Sequence, residues 1–234
     1  MPRPSTNTDA RLLKAGRDLL PQTGVSGMNI RQVAKKARVN VGMFHYHFKT
    51  KDVFARRVLQ EHYEELFASI QTEMSHFETP LEQLRAVIVT FAKFTRDNRQ
   101  LALSLIRDIA TGEPATIDFL RANLHRHVQI ILRLVGAAQA ARQIGPIAPV
   151  NALSMLMSAA NFPNILAAVA ALHGEPERVG PVLSAFDQHV LTDEAIGERV
   201  DAILIGLVAQ REDLPLEPEG AASVPTVELP LAGK

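Results

Sequence analysis

Asn29-Ile-Arg-Gln-Val-Ala-Lys-Lys-Ala-Arg-Val-Asn40-Val-Gly-Met-Phe-His-Tyr-His-Phe-Lys-Thr-Lys51 decides how the chain folds. The spacing predicts two short helices joined by a tight turn. Asn29 suits an N-cap, because its side chain can accept from the free amides of the first turn. Ile30, Val33, Ala34 and Ala37 lie on one helix face. Arg38-Val39-Asn40 forms the turn, and Asn40 caps a second helix carrying Phe44 and Phe48 four residues apart. That inward pair leaves Gly42, Met43, Tyr46 and His47 pointing away. A basic and aromatic outer face on the second helix of such a pair is what a reader of the DNA major groove needs.

The order Val33-Ala34, Val39-Asn40, Gly42, Phe44, Tyr46-His47-Phe48, Lys49, Lys51-Asp52 resembles the DNA-binding signature of the TetR (tetracycline-repressor) family. The resemblance covers about residues 8 to 55. Two positions depart from it. Arg38 stands where the family usually has glycine in the turn, so it must adopt a backbone conformation that glycine tolerates more easily. His45 stands where the family often has a phosphate-contacting tyrosine. The resemblance implies a homodimeric, ligand-responsive regulator on a palindromic operator, with repression the commoner mode.

Net charge is zero over 234 residues, yet the charge is divided. Residues 1–62 hold twelve Lys or Arg against four Asp or Glu, and residues 63–234 hold thirteen against twenty-one. A basic head on an acidic body suggests phosphate affinity that falls steeply with salt. Arg31, Val41, Gly42, Met43, His45, Tyr46, His47, Lys49 and Lys51 are the expected DNA-binding residues. Val41, Met43, Tyr46 and His47 are placed for base edges or thymine methyls, and Arg31, His45, Lys49 and Lys51 for phosphates.

The rest of the chain reads as helices, with no stretch alternating at period two, so the expected class is all-α. The expected organisation is a DNA-binding head over 1–52, a ligand-binding and dimerisation body over 53–211, and a disordered tail over 212–234 with four prolines and no helical stripe. Residues 1–7 are expected to be mobile. Thr79-Pro80-Leu81-Glu82 is a sharp helix start. Pro176 and Pro181 bracket a short irregular or helical connector. The apolar stretch from Ile147 to Leu172 is interrupted by Pro149, Asn151, Ser154, Ser158, Asn161, Pro163 and Asn164, which argues for a buried helix over a membrane span. Cysteine is absent, which excludes thiol chemistry. The N-terminus has no apolar export signal, so a cytoplasmic location is expected.

No catalytic arrangement stands out: there is no phosphate loop, nucleophile elbow or cysteine nucleophile, and no enzyme or cofactor is expected. His45/His47 and His125/His127 are two apart, which points their rings to different sides of a helix, so no metal site is expected. Polar residues among apolar neighbours suit a ligand cavity in the body. Phe94, Ile106, Arg107, His127, Ile130, Met155, Asn161 and Phe162 are the expected ligand contacts, Arg107 as a candidate partner for an anionic effector. Two helices with small residues in apolar stripes suit the dimer interface that the resemblance implies, with Leu156, Ala160, Ile203, Leu204 and Leu207 at its centre. The rival readings are a helical small-molecule-binding or enzymatic protein with an incidental basic head, and a nonspecific architectural DNA binder.

Overall fold

The computed structural model describes residues 8–173 and 176–209, and every regular element among them is an α-helix. The expected mobile segment 1–7 and disordered tail 212–234 lie outside those residues. Helices α1 (Thr8–Thr23), α2 (Ile30–Ala37) and α3 (Val41–Phe48) form the head. The long α4 (Lys51–Met74) leads into the body of α5 (Pro80–Asp97), α6 (Arg99–Ala110), α7 (Pro114–Ala140), α8 (Pro149–His173), α9 (Pro176–His189) and α10 (Asp193–Ala209).

The helix starts follow from local chemistry. The Asn29 side chain accepts from Arg31 N at 2.9 Å, and Asn40 Oδ1 accepts from Met43 N at 2.9 Å. Thr79 and Glu82 complete a reciprocal capping box, with Pro80 at the first helical position. Arg38 ends α2 in the left-handed region at φ 56° and ψ 46°. The Arg11 guanidinium steadies this strained turn, donating to Ala37 O at 2.5 Å and Arg38 O at 2.8 Å.

Two apolar clusters hold the molecule. The head cluster joins Leu12, Leu20, Val33 and Phe44 to Phe54 and Val58 on α4, and continues to Leu101, Ala115 and Phe119 on α6 and α7. It therefore crosses the boundary expected after residue 52. The body cluster packs α4, α5, α7, α8 and α10 around Ile88, Ile131, Leu156, Ile196 and Leu207. Arg85 clamps Asp201 across α5 and α10 with bonds of 2.5 and 2.8 Å.

Pro163 lies inside α8 and cannot donate to the carbonyl of Ala159. Arg199 on α10 fills the gap, donating from Nε to Ala159 O at 3.3 Å. The segment after Pro176 is a full 14-residue helix. Pro181 sits within it, and a missing N–H there costs one carbonyl its partner without ending the helix. By length and composition α8 could span a membrane between Pro149 and Leu172. One face of it, Ala152, Leu156, Ala160, Asn164 and Ala168, is sealed in the body.

That phase corrects the dimer residues. Leu156 and Ala160 are fully buried in the protomer's own core, as are Leu204 at 5 % and Leu207 at 1 % exposure, and Ile203 packs against the same core. Each helix has two apolar faces, and periodicity does not say which one the protomer keeps. The large apolar residues left outside among the described residues of these helices are Val150, Met155, Phe162, Leu166, Val169 and Leu172 on α8 and Ile205 on α10.

Candidate nucleic-acid interface and candidate ligand cavity

On α3 the inward side chains fix the outward ones. Phe44 and Phe48 are buried against Phe54, with ring centroids 5.0 and 4.9 Å from it in edge-on geometry. Edge-to-face aromatic packing of this kind holds a helix at a set rotation. Val41, Gly42, His45, Tyr46 and Lys49 are thereby exposed, and Met43 and His47 half-buried. Tyr46, 68 % exposed, stands edge-on to the His47 ring. Arg31, at the start of α2, is exposed.

Two of the expected phosphate contacts carry other bonds. His45 Nδ1 lies 3.1 Å from Lys49 O, and a carbonyl only accepts, so Nδ1 carries the proton. The neutral ring then presents a lone pair at Nε2, and only the protonated ring could donate to a phosphate. Lys51, expected on a phosphate, is half-buried and donates to Val25 O at 3.1 Å and Ser26 O at 3.3 Å. The turn before α2 lies in its reach, 25 residues back, so nothing in the motif announced it.

The same turn receives a second tie that sequence reasoning missed. Asp108 on α6 is fully buried and accepts from Val25 N at 2.6 Å, Ser26 Oγ at 2.6 Å and Thr116 Oγ1 at 3.3 Å. Gly24 makes room for it. Its φ is +64°, and a Cβ there would lie 2.6 Å from Asp108 Oδ1. The available signal was an acidic residue three and seven positions after Leu105 and Leu101, on the apolar face of α6. Lys51 begins α4 and Asp108 ends α6, so one short turn links both body helices to the reading head.

Those two helices also wall a cavity of about 190 Å³. Leu59, His62, Tyr63 and Leu66 line it from α4, Phe91, Phe94 and Thr95 from α5, Leu101 and Leu105 from α6, and Phe119, Asn123 and His127 from α7. No Lys, Arg, Asp or Glu is among its lining residues. Tyr63 donates its hydroxyl proton to Asn123 O at 2.6 Å, and His127 Nδ1 lies 3.1 Å from the Tyr63 hydroxyl oxygen. Burial pushes the His127 imidazole down to about 4, helped by nearby His125. Burial likewise lowers His62, with Arg17 acting in the same direction and Glu65 opposing it. Neither ring nitrogen of His62 has a partner among the described residues.

Phe94 and His127 of the expected contacts line this cavity, and six do not. Ile130 is buried beside it in the body core. Ile106 is 46 % exposed and Arg107 is exposed, because α6 turns Leu101, Ser104, Leu105 and Asp108 inward. An anionic effector held by Arg107 is excluded by that orientation. Met155 and Phe162 face outward from α8, at 45 % and 66 % exposure. Asn161 is half-buried and donates to Met157 O within its own helix. Among the described residues no three His, Cys, Asp or Glu side chains gather as a metal site.

Residues 12–58 match the family model for bacterial regulatory proteins of the tetR family. The chain is 24 % identical over 139 residues to the probable HTH-type transcriptional regulator YttP of Bacillus subtilis, covering 58 % of this chain and 67 % of that one. It is 28 % identical over 113 residues to an HTH-type transcriptional repressor of Mycobacterium tuberculosis, covering 48 % and 54 %. The chain thus spans about half of that repressor's length. The fold is shared with the transcriptional regulator FadR from Bacillus subtilis, solved in complex with stearoyl-CoA, at a TM-score of 0.63, 13 % identity and coverage of 86 % and 98 %. The capped helix pair with its outward Tyr46 and the matching family model agree that residues 12–58 belong to the tetR family of bacterial regulatory proteins.

Proposed function

We propose that this protein is a ligand-responsive transcriptional repressor that binds a palindromic operator as a homodimer. The observation that carries the reading is the exposed face of α3, with Val41, Gly42, Tyr46 and Lys49 held outward by the buried Phe44–Phe48–Phe54 packing. Its basic surroundings, eight net positive charges over residues 1–62, supply phosphate attraction. Val41 and Met43 offer no hydrogen-bond code, so this helix reads thymine methyls and DNA shape alongside base edges.

The apolar stripe of Met155, Phe162, Leu166, Val169 and Ile205 is the dimer surface in this reading. An exposed patch of that kind is costly for a monomer to keep in water. An effector in the cavity would press on α4 and α6, which are tied by Lys51 and Asp108 to the turn at residues 24–26. Such an effector shifts the heads only insofar as it binds one arrangement better than the other.

Selection of duplexes from a random pool by the full chain tests the proposal. A palindromic consensus, with affinity that drops as salt rises, is expected. Enrichment of no sequence would refute specific reading and favour general binding to duplex.

A further inference from the structure

Resting on the reading of the cavity as the effector site, we propose that it takes a neutral molecule of about one substituted six-membered ring, which donates a hydrogen bond to Nε2 of His127. The proton arrangement around Tyr63 carries this. A phenol has one proton, and the main-chain oxygen of Asn123, 2.6 Å away, can only accept it. The contact of 3.1 Å between Tyr63 Oη and His127 Nδ1 therefore needs its proton from the imidazole. With Nδ1 protonated, the neutral ring has its lone pair at Nε2. His127 is 5 % exposed, its ring lines the cavity, and no described residue bonds to Nε2. It stays neutral, since burial holds it at about 4. What meets this nitrogen must bring a proton.

Charge and size narrow the class further. With no cationic side chain in the lining, a carboxylate or phosphate would be stripped of water and set against a lone pair. That disfavours the acyl thioester class, of which stearoyl-CoA is the example in the FadR complex. A dry apolar cavity of about 150 Å³ accepts benzene, so 190 Å³ leaves room for a ring with one or two substituents. His62, 9 % exposed and without a partner at either nitrogen, adds a second unpaired imidazole to the lining.

Three probes of like size separate the possibilities in calorimetric titrations of the full chain at neutral pH: p-cresol, 4-methylanisole and p-toluate. They carry a donor, the same oxygen without its proton, and an anion. The expected result is p-cresol bound roughly tenfold or more tighter than either other probe. Tyr63→Phe removes the acceptor that fixes the imidazole tautomer, and should draw the affinities of p-cresol and 4-methylanisole together. A merely structural role for Tyr63 would weaken both equally and leave their ratio unchanged. Equal binding of p-cresol and 4-methylanisole by the parent protein, preference for p-toluate, or binding of none would each overturn the proposal, whatever the variant does. If p-cresol ranks first but leaves the selected operator bound, the ligand class stands and the effector reading falls.

Discussion

The head and the cavity use the same helices in opposite ways. In the head, a run of 23 residues turns Phe44 and Phe48 inward so that Tyr46 and its neighbours face out. In the cavity, four helices drawn from residues 59 to 127 each contribute a few side chains to one shared hollow. A reading surface can therefore be made by one local motif with its caps. A cavity depends on the rotational phase of every wall, and one helix turned by a residue replaces its lining. The two are joined at residues 24–26, where Asp108 and Lys51 bond to adjacent groups of one turn.

Breaking that junction should have the largest effect. Asp108→Ala strands buried donors at Val25 and Thr116, and the loss is expected at about 3 kcal/mol in urea unfolding. Operator binding should fall with it. Stability within experimental error of the parent would show that head and body are not joined there.

Acid should act next. His127 has its folded value at about 4, below 6.5 for the free side chain, so the unfolded chain binds the extra proton between those limits. Stability is complete above pH 6.5 and falls as pH drops toward 4, by about 3 kcal/mol from this group at most. His127→Gln should flatten that part of the curve in pH-dependent unfolding. An unchanged curve would remove His127 from the buried cavity wall.

The proposed dimer face separates two neighbouring positions on α10. Ile205→Asp, on the outer face, should yield folded monomers in sedimentation, and Leu204→Asp should unfold the protomer, because a buried unpaired carboxylate is expensive. Folded dimers from both variants would move the interface elsewhere.

Smaller effects sharpen the head. Lys49→Ala should lower the slope of log affinity against log salt by about one. Lys51→Ala should weaken binding with the slope kept, since its ammonium serves the turn. His45→Tyr supplies a hydroxyl donor where the neutral imidazole has a lone pair, and a gain of about threefold in operator affinity is expected. No gain would mean that this side chain stands clear of the backbone of the DNA.

What could be read from the sequence follows the range of the interactions. Asn29, Asn40 and the Thr79–Glu82 box act within three residues, so the residues that stop and start these helices announced themselves. The outward position of Tyr46 followed from Phe44 and Phe48 four apart. Ile106 and Arg107 were misplaced because α6 has apolar residues on two sides, and only packing against its neighbouring helices chooses Leu101, Leu105 and Asp108. The Asp108–Val25 bond spans 83 residues, beyond any pattern of spacing. Leu156 and Leu204 were assigned to the wrong partner for the same reason: a stripe states that something covers it, and the tertiary fold decides what.

Comparing affinity for a selected operator duplex with that for a scrambled duplex, for the parent protein and Tyr46→Ala, tests the reading face most directly. The parent should discriminate strongly and Tyr46→Ala should lose most of the discrimination, while its affinity for scrambled duplex and its helical content stay unchanged. A Tyr46→Ala protein that distinguishes the two duplexes as well as its parent would contradict it.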